Sequence, residues 1–229
     1  MSVDLIATTV AHRNVEAETC WSFSKLYTLS RINFVWVVQA GDALIGRGRS
    51  VAIHQFLKMG APYLLFVDSD IIFEPEDAEK IYWHLKSGYD LIGGTYAVRG
   101  GTQLAHYGLD EGRITMDGKV HEVDYLSTGF MGISKKLMEK MINEIPLPLV
   151  SKGLASECYP FFESGRYDHP KAGPIYISED WDFCEKARKV GVKPYLDTSV
   201  RLGHKGAKIY YPKDVYDYQK GSDSESRQD

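Results

Sequence analysis

Cysteines and long apolar runs are both scarce in this 229-residue chain. Its three cysteines, Cys20, Cys158 and Cys184, are far apart and lack C-x-x-C spacing, which is typical of a reduced, intracellular protein. No apolar segment approaches the roughly 20 residues that a membrane-spanning helix needs. A strand-like pattern begins already at Val3 and leaves no space for a signal peptide. We therefore expect a cytoplasmic protein without a transmembrane segment.

A strong excess of either charge is also lacking. The chain has 27 Lys and Arg residues against 31 Asp and Glu residues, for a formal net charge of −4, and no basic block stands out. Because a nucleic-acid-binding surface needs concentrated positive charge, we expect no nucleic-acid partner. The length suits one large domain, which we place at residues 1–213, followed by a polar, disordered tail at residues 214–229.

Strand patterns alternate with helix patterns through the first hundred residues. Apolar runs predict strands at residues 5–10, 33–38, 63–67 and 90–96. Helical periodicity between them predicts helices that begin near Asn14, Ile45 and Pro75. This order predicts an α/β fold with a Rossmann-like, mostly parallel central sheet and flanking helices.

The pattern changes in the second half of the chain. Residues 113–116 and 119–123 flank the turn Asp117-Gly118, which predicts a small antiparallel hairpin. Ser134 and Ser178 precede further helical patterns. Residues 146–174 have no clear period, and we expect them to form a lid or acceptor wall through their aromatic residues, Tyr159, Phe161, Phe162 and Tyr167.

Two aspartates follow the most apolar strand. Asp68 and Asp70 come directly after residues 63–67, at the carboxyl end of the predicted strand, where open α/β sheets bind ligands. If the extended geometry continues, both side chains project to the same side. Two such carboxylates repel each other unless a cation or hydrogen bonds neutralise them. A loop-capping role is the simpler interpretation of an Asp-x-Asp pattern.

Three blocks of sequence resemble the GT-A fold glycosyltransferases, which have a D-x-D motif, and in particular the large inverting group called family two. These blocks are GAPYLLFVDSD at residues 60–70, STGFMGI at 127–133 and SEDWDFC at 178–184, followed by Gly191 and His204. The resemblance implies a nucleotide-binding half at residues 1–100 and an acceptor and catalytic half at 101–213. It also implies transfer of a sugar from a nucleotide-diphosphate donor, with UDP favoured, to a glycan or another hydroxyl acceptor.

By the same resemblance, Asp70 binds a divalent metal and His204 supplies a late ligand. Asp68 contacts the nucleotide ribose or a metal-bound water. Such a cation neutralises the diphosphate leaving group, and Mn²⁺ is favoured over Mg²⁺ because it tolerates an imidazole ligand. An ordinary surface histidine beside glycines is the other interpretation of His204.

The Glu179-Asp180 pair corresponds to the family's catalytic carboxylates. The resemblance assigns Asp180 as the base that takes the proton of the acceptor hydroxyl, with Glu179 as the adjacent alternative, and this implies inversion. Acidic residues in the first turn of a helix are also favoured by the helix dipole alone. The pair therefore has both a catalytic and a structural interpretation.

The remaining predicted contacts surround the Asp68 and Asp70 pair. The family usually ends its second strand with an acidic turn, whereas this chain has Gln39-Ala40-Gly41-Asp42, so we assign the nucleotide contact to Asp42 from a shifted position. Further donor contacts are predicted at Thr8, Thr9, Arg47, Arg49, Ser69 and Gly94. Acceptor contacts are predicted at Tyr96, Thr128 and Trp181.

Three other activities share parts of this pattern. A haloacid-dehalogenase-type phosphatase also uses D-x-D, but on its first strand, whereas here the motif follows the third. A nucleotidyltransferase usually has a Gly-rich basic loop after the first strand, and residues 8–13 contain no glycine. A non-catalytic nucleotide- or sugar-binding module would not need Asp180 and His204 in addition to the two aspartates.

Overall fold

The computed structural model describes residues 3–106, 114–170 and 172–215. Its helices are α1 (Ala17–Leu29), α2 (Ile45–Met59), α3 (Pro75–Lys86), α4 (Lys135–Glu144) and α5 (Glu179–Lys189). Its strands are β1 (Leu5–Ala11), β2 (Phe34–Ala40), β3 (Tyr63–Val67), β4 (Ile71–Ile72), β5 (Leu91–Thr95), β6 (Val120–Glu122), β7 (Phe130–Ser134), β8 (Gly165–His169), β9 (Gly173–Ile177), β10 (Tyr195–Arg201), β11 (Gly203–Lys205) and β12 (Ile209–Tyr210).

A seven-stranded mixed sheet in the order β2-β1-β3-β7-β5-β10-β6 forms the centre. β1 pairs in parallel with β2 and β3, and β5 pairs in parallel with β10. β7 lies antiparallel between β3 and β5, so those two strands run the same way, and β6 is antiparallel to β10. The predicted α/β class with a mostly parallel sheet is confirmed. Strands from both halves of the chain build this one sheet.

Both faces of the sheet are covered by helices because its strands are apolar on both sides. Successive side chains of β3 alternate between two cores, with Leu64 and Phe66 on one face and Leu65 and Val67 on the other. The first core includes residues of α2, α4 and α5, and the second includes residues of α1 and α3. The result is a three-layer α/β/α arrangement, which leaves the carboxyl ends of the strands open to a site.

Several helix ends lie where local sequence signals predict them. The Ser134 hydroxyl accepts a hydrogen bond from the backbone N–H of Leu137 and caps α4. Gly60 ends α2 in the left-handed conformation at φ 82°, which a side chain would disfavour. α1 differs from the prediction, because it begins at Ala17 with Glu16 rather than Asn14 at the cap position.

An antiparallel hairpin is present in the second half, but at a different place from the one predicted. β8 and β9 form it. Residues 114–116 form no strand, and β6 pairs with β10 instead. The hydroxyl of Thr198 on β10 accepts from Gly118 N and donates to Lys119 O, at 3.0 and 2.8 Å, so the predicted turn is bound to β10. Arg113 lies outside the described residues.

The predicted lid at residues 146–174 is partly core and partly hairpin. Phe161 and Phe162 are buried, and the Phe162 ring stacks on Phe183 of α5 with centroids 4.6 Å apart. These two aromatic side chains therefore cannot line an acceptor wall, which corrects the prediction. The Tyr167 hydroxyl donates to Glu185 at 2.9 Å and ties the hairpin to α5.

The predicted tail starts too early. Asp214 N donates to Tyr211 O at 2.9 Å and Val215 is buried, so these two residues belong to the folded part. The rest of the predicted tail, residues 216–229, lies outside the described residues. Within the described ranges, none of the helices combines the length and apolar character required to cross a bilayer.

Candidate active site

The carboxyl end of β3 is held beside a small second sheet, and this brings Asp70 to His204. The chain turns directly after β3, where Ile71 N donates to Asp68 O at 3.2 Å. β4 then pairs with β11 so that Ile71 lies opposite His204. Because of the turn, the extended geometry predicted for the motif does not continue, and the two aspartates contact different partners.

Asp70 and His204 form the first pair of the site. The Asp70 carboxylate is buried, and its Oδ2 lies 3.3 Å from His204 Nε2. The other ring nitrogen, Nδ1, lies 2.8 Å from the carbonyl oxygen of Ala97 and must carry a proton, because a carbonyl only accepts. A hydrogen bond to Asp70 needs a second proton on Nε2, and loss of that proton would leave an Nε2 lone pair directed at Asp70, the orientation in which a histidine binds a metal.

The charges around this pair shift both pKa values. Burial acts to raise the pKa of Asp70, but contacts with His204 and Arg99 outweigh it and hold the pKa below its usual value. Burial acts to lower the pKa of His204, and the hydrogen bond to Asp70 outweighs it and raises the pKa. Asp70 is therefore ionised at neutral pH.

Arg99 is the residue of this site that sequence reasoning missed. Its guanidinium contacts Oδ2 of Asp70, the same oxygen that faces His204. It belongs to the loop after β5, in which Ala97 bridges Leu104 and Ala105 N donates to Tyr96 O at 2.9 Å. A basic residue in a glycine-rich loop after a strand was the only signal for it, and many surface loops share that signal.

Arg49 joins the two other carboxylates of the site, those of Asp68 and Glu179. It is buried in the first half of α2, and its Nη2 lies 2.9 and 3.0 Å from the two oxygens of Asp68. Its Nη1 lies 2.7 Å from Glu179 at the start of α5. One guanidinium therefore fixes the carboxylate after β3 against the amino end of a distant helix. The predicted residues Arg49, Asp68 and Glu179 are brought together.

Asp180 follows Glu179 but has a different environment. Burial raises its pKa, and the neighbouring Glu179 charge adds to this, while the Ser178 hydroxyl that donates to Asp180 acts the other way. The net direction is upward. A carboxylate with a raised pKa is a stronger base than an exposed one, which suits proton abstraction.

Tyr96 and the 127–129 loop form the floor of the site. Gly129 leaves the space that the Tyr96 hydroxyl fills, since a Cβ there would lie 2.2 Å from that oxygen. Burial raises the pKa of Tyr96 far above its usual value, and the charges of Asp68 and Asp180 act in the same direction. Tyr96 therefore lies within electrostatic reach of both carboxylates and stays a neutral phenol.

The three predicted acceptor residues are not equally accessible. Thr128 is fully buried, and its Oγ1 has no hydrogen-bond partner among the described residues. Tyr96 is also buried, whereas Trp181 is partly exposed and stacks on Tyr125 with centroids 4.3 Å apart. Only Trp181 has a surface that an incoming acceptor can reach in this arrangement.

Four of the predicted donor residues make internal hydrogen bonds or packing contacts within the fold. β1 extends to Ala11, so Thr8 and Thr9 lie inside the strand and not at its end. The Thr8 hydroxyl donates to Val37 O at 3.3 Å, and that of Thr9 accepts from the Trp36 indole at 3.0 Å. The carbonyl of Ser69 accepts from Glu16 N and from the hydroxyl of Thr19.

Gly94 is the fourth of these residues. A Cβ at this position would lie 2.4 Å from Cγ1 of Val200 on the neighbouring β10. Glycine is therefore required for strand packing, and the space is filled by the core. This packing gives a structural reason for the glycine, and the approach of a donor sugar to the backbone there stays a prediction.

Asp42 and Arg47 form an ion pair beyond the end of β2, in which Arg47 is exposed and Asp42 is partly buried. The carboxylate of Asp42 accepts from Nε and Nη2 of Arg47 at 2.7 and 2.9 Å and from Leu44 N at 2.9 Å. The hydrogen bond from Arg47 is the main reason that the pKa of Asp42 is lowered. The pair borders the start of α2, but the structure shows no contact between it and Asp68.

The chemistry of the donor set decides whether a cation fits. In the described part of the chain, no three His, Cys, Asp or Glu side chains converge as a metal-binding cluster. Asp70 and His204 offer one oxygen and one nitrogen that converge. Mg²⁺ and related cations at phosphate sites are commonly held by one or two protein ligands plus phosphate oxygens. The pair fits a cation that is bound together with a phosphorylated ligand, and manganese accepts both donor types.

Comparisons with known proteins show a shared fold. Neither protein-family models nor curated proteins gave a match. Among solved structures, A197 from STIV is similar with a TM-score of 0.61 and 18% identity, over 92% of this chain and 91% of that chain. A glycosyltransferase involved in the glycosylation of the major capsid of PBCV-1 has a TM-score of 0.36 and 14% identity, over 66% and 71%. GalNAc-T7, crystallised with UDP, GalNAc and Mn²⁺, has a TM-score of 0.47 and 11% identity, over 88% and 44%.

Of these three, the likeness to A197 from STIV extends over nearly all of both chains. It shows that the two chains have the same fold, and at this identity it shows the fold alone. The TM-scores of the other two are below 0.5.

Proposed function

We propose that this protein is a glycosyltransferase that moves a sugar from a nucleotide-diphosphate donor, with UDP favoured, to a hydroxyl acceptor such as a glycan. The observation that carries the proposal is the convergence of Asp70 Oδ2 and His204 Nε2 at 3.3 Å, at the carboxyl end of β3, beside the Asp68–Arg49–Glu179 chain. The three sequence blocks that resemble GT-A glycosyltransferases contribute every one of these residues except Arg49 and His204.

The metal ligands in this proposal are Asp70 and His204. They would hold a divalent cation, Mn²⁺ in preference to Mg²⁺, which would supply positive charge to neutralise the departing diphosphate. Asp70 supplies a hard carboxylate oxygen, and the Ala97 carbonyl keeps His204 in the tautomer that exposes Nε2. These two side chains come from different halves of the chain, so only the folded protein presents them together.

Asp68 and Arg49 orient the donor. Arg49 fixes the Asp68 carboxylate through both of its oxygens, which leaves their remaining lone pairs to accept hydrogen bonds from the ribose hydroxyls. Asp42 and Arg47, at the adjacent end of β2, are the proposed contacts to the base and its ribose. The Asp42 carboxylate accepts N–H bonds and could accept the imide N–H of uracil in the same way.

Asp180 is the proposed catalytic base. It accepts the proton of the acceptor hydroxyl as the oxygen attacks the anomeric carbon, and the nucleotide diphosphate leaves from the opposite face, so the configuration inverts. Trp181, the next residue, provides an aromatic face for the acceptor sugar beside the base. Tyr96 and Thr128 lie beneath and shape this side of the site.

The organisation of the chain follows from the same proposal. Residues 1–100 form the nucleotide-binding half and residues 101–213 the acceptor and catalytic half of one unit. All three cysteines are free thiols, which is consistent with the reducing conditions of the cytoplasm, where we place the protein.

Calorimetric titration of UDP and GDP, each with and without Mn²⁺, tests the donor site. We expect manganese-dependent binding of UDP to the wild type and its loss in Asp70→Ala. A matched control is Asp214→Ala, which removes an aspartate that bonds, among the described residues, to Tyr211 N and to Lys208. If no nucleotide binds under any condition, the donor site is refuted.

Asp180→Asn then separates catalysis from binding. Sugar transfer, followed as release of the nucleoside diphosphate and as anomeric configuration of the product, should stop while UDP binding stays unchanged. Transfer at the wild-type rate would remove Asp180 from the role of base. Retention of configuration in the wild-type product would refute the inverting mechanism.

A further inference from the structure

Arg99 competes for the carboxylate oxygen that a cation would need. Its guanidinium contacts Asp70 Oδ2, and His204 Nε2 lies 3.3 Å from that same oxygen. A cation bound between Oδ2 and Nε2 would lie in the region that the positive guanidinium borders. The positive charges of the cation and of the guanidinium would repel each other strongly at such close range. Oδ2 of Asp70 cannot bond well to the cation and to Arg99 at the same time. Arg99 and a divalent cation therefore exclude each other at Asp70.

We propose that Arg99 is a built-in counter-ion of Asp70 that a divalent cation displaces, and that the freed guanidinium then binds the donor diphosphate. This inference rests on the proposed function. Guanidinium pairs with phosphate oxygens in a bidentate way, as it does with carboxylates, so the same group can serve both partners. The binding of the metal and the binding of the donor are therefore coupled through the side chain of Arg99.

The surroundings of Arg99 allow this exchange. Its side chain is 65% exposed, although the carboxylate that it contacts is buried. Gly100 and Gly101 follow it with φ values of 106° and 73°, so the loop turns sharply after Arg99. Gly206 faces the aliphatic part of Arg99, since a Cβ there would lie 3.5 Å from Cγ of Arg99. The side chain therefore lies against a glycine surface and can change rotamer without displacing a core residue.

The charges near Arg99 explain why it points inward. Its pKa is raised mainly by the hydrogen bond and charge of Asp70, with smaller contributions from Asp68 and Glu16. This acidic surface keeps the guanidinium at the site until a stronger cation arrives. The ion pair with Arg99 also neutralises the charge of the buried Asp70 carboxylate when no metal is bound, and a buried carboxylate needs such a partner.

Titration of Mn²⁺ alone, without nucleotide, tests the competition. Electron paramagnetic resonance of free Mn²⁺ gives the Kd for the wild type, Arg99→Ala and Arg99→Lys. Because removing a half-exposed ion pair removes a modest competing interaction, the Kd of Arg99→Ala should fall about fivefold. Arg99→Lys keeps the charge and should stay near the wild type. Arg31→Ala, an exposed arginine between α1 and β2, is the control for loss of a surface charge.

Titration of UDP at saturating Mn²⁺ tests the second part of the proposal, which is the contact between Arg99 and the donor diphosphate. If the freed guanidinium binds the diphosphate, Arg99→Ala should weaken UDP binding about tenfold even though it binds the metal more tightly. An unchanged or raised Kd for Mn²⁺ in Arg99→Ala overturns the competition. Unchanged UDP binding overturns the contact with the diphosphate. Failure of the proposed function is distinct, because UDP would then bind neither the wild type nor Arg99→Ala at saturating Mn²⁺, whereas the Kd values for Mn²⁺ would still report the competition.

Discussion

Substitution of Arg49 by Met gives the sharpest test of how the site is built. The Arg49 side chain is only 5% exposed, and it joins Asp68 and Glu179, whose side chains are 29% and 18% exposed. Methionine keeps most of the volume and removes the charge. Both carboxylates would then be partly buried without their cation, and they would repel each other.

The magnitude follows from this burial. Removing one member of a fully buried ion pair typically destabilises a protein by about 3–5 kcal/mol. Because both carboxylates retain some contact with water, we take a lower value and expect the free energy of unfolding to fall by about 2–3 kcal/mol.

Urea-induced unfolding, followed by tryptophan fluorescence, measures this loss without screening the charges. Arg47→Met is the matched control, since Arg47 lies two residues away on α2 and its side chain is 50% exposed beside Asp42. We expect its unfolding midpoint to stay close to that of the wild type. The double variant Arg49→Met, Glu179→Gln should regain part of the lost stability, because one uncompensated charge is gone.

The result that would refute this reasoning is equal stability of Arg49→Met and Arg47→Met. The bridge between β3 and α5 would then contribute nothing beyond a surface pair. If Arg49→Met is destabilised but binds UDP and Mn²⁺ as the wild type does, the bridge supports the fold without orienting Asp68 for the donor.

Three further predictions test the packing, the pH dependence and the acceptor side. Gly94→Ala should destabilise the protein by about 1–3 kcal/mol, because its Cβ meets Val200, and Val200→Ala in the same chain should recover part of the loss in urea unfolding; no recovery would contradict the packing. Burial lowers the pKa of His106 from 6.5 to about 4, so its neutral form stabilises the fold above pH 6.5, and about 3 kcal/mol of stability should be lost as the pH falls to 4. His106→Gln should flatten that part of the pH profile, and an unchanged profile would contradict it. Tyr176, 79% exposed on the hairpin that leads into Asp180, should contact the acceptor: Tyr176→Ala should raise the acceptor KM and leave UDP binding unchanged, and the reverse would place the hairpin on the donor side.

Local patterns allowed the elements around the motif to be predicted from the sequence. β3 has the predicted limits, because an apolar run between Gly60-Ala61-Pro62 and Asp68 has a sharp start and end. The caps at Gly60 and Ser134 also depend on neighbouring residues only. The sequence order of strands and helices is sufficient for the α/β class, since parallel neighbours need helical crossovers.

Long-range choices account for most of what the sequence could not predict. The Asp117-Gly118 turn is bound by Thr198 from a strand about eighty residues later, and nothing near the turn indicates this. Phe161 and Phe162 look like lid residues in an irregular stretch, but Phe183 of α5 draws them into the core. Gly94 resembles a backbone-approach glycine until the position of Val200 is known.

Glu179 and Asp180 are adjacent in the sequence but have different surroundings. This difference explains how one residue of the pair can stabilise the fold while the other carries out the chemistry. Glu179 is bound by Arg49 at 2.7 Å and so anchors the start of α5 to the carboxyl end of β3. Transfer of a proton to Glu179 would break this ion pair with Arg49. Asp180 has no such cation bonded to it among the described residues, and burial raises its pKa. The helix dipole stabilises both charges. Asp180 gains basicity from its burial, so the proton of an acceptor hydroxyl should go to Asp180, while Glu179 fixes the start of the helix through Arg49.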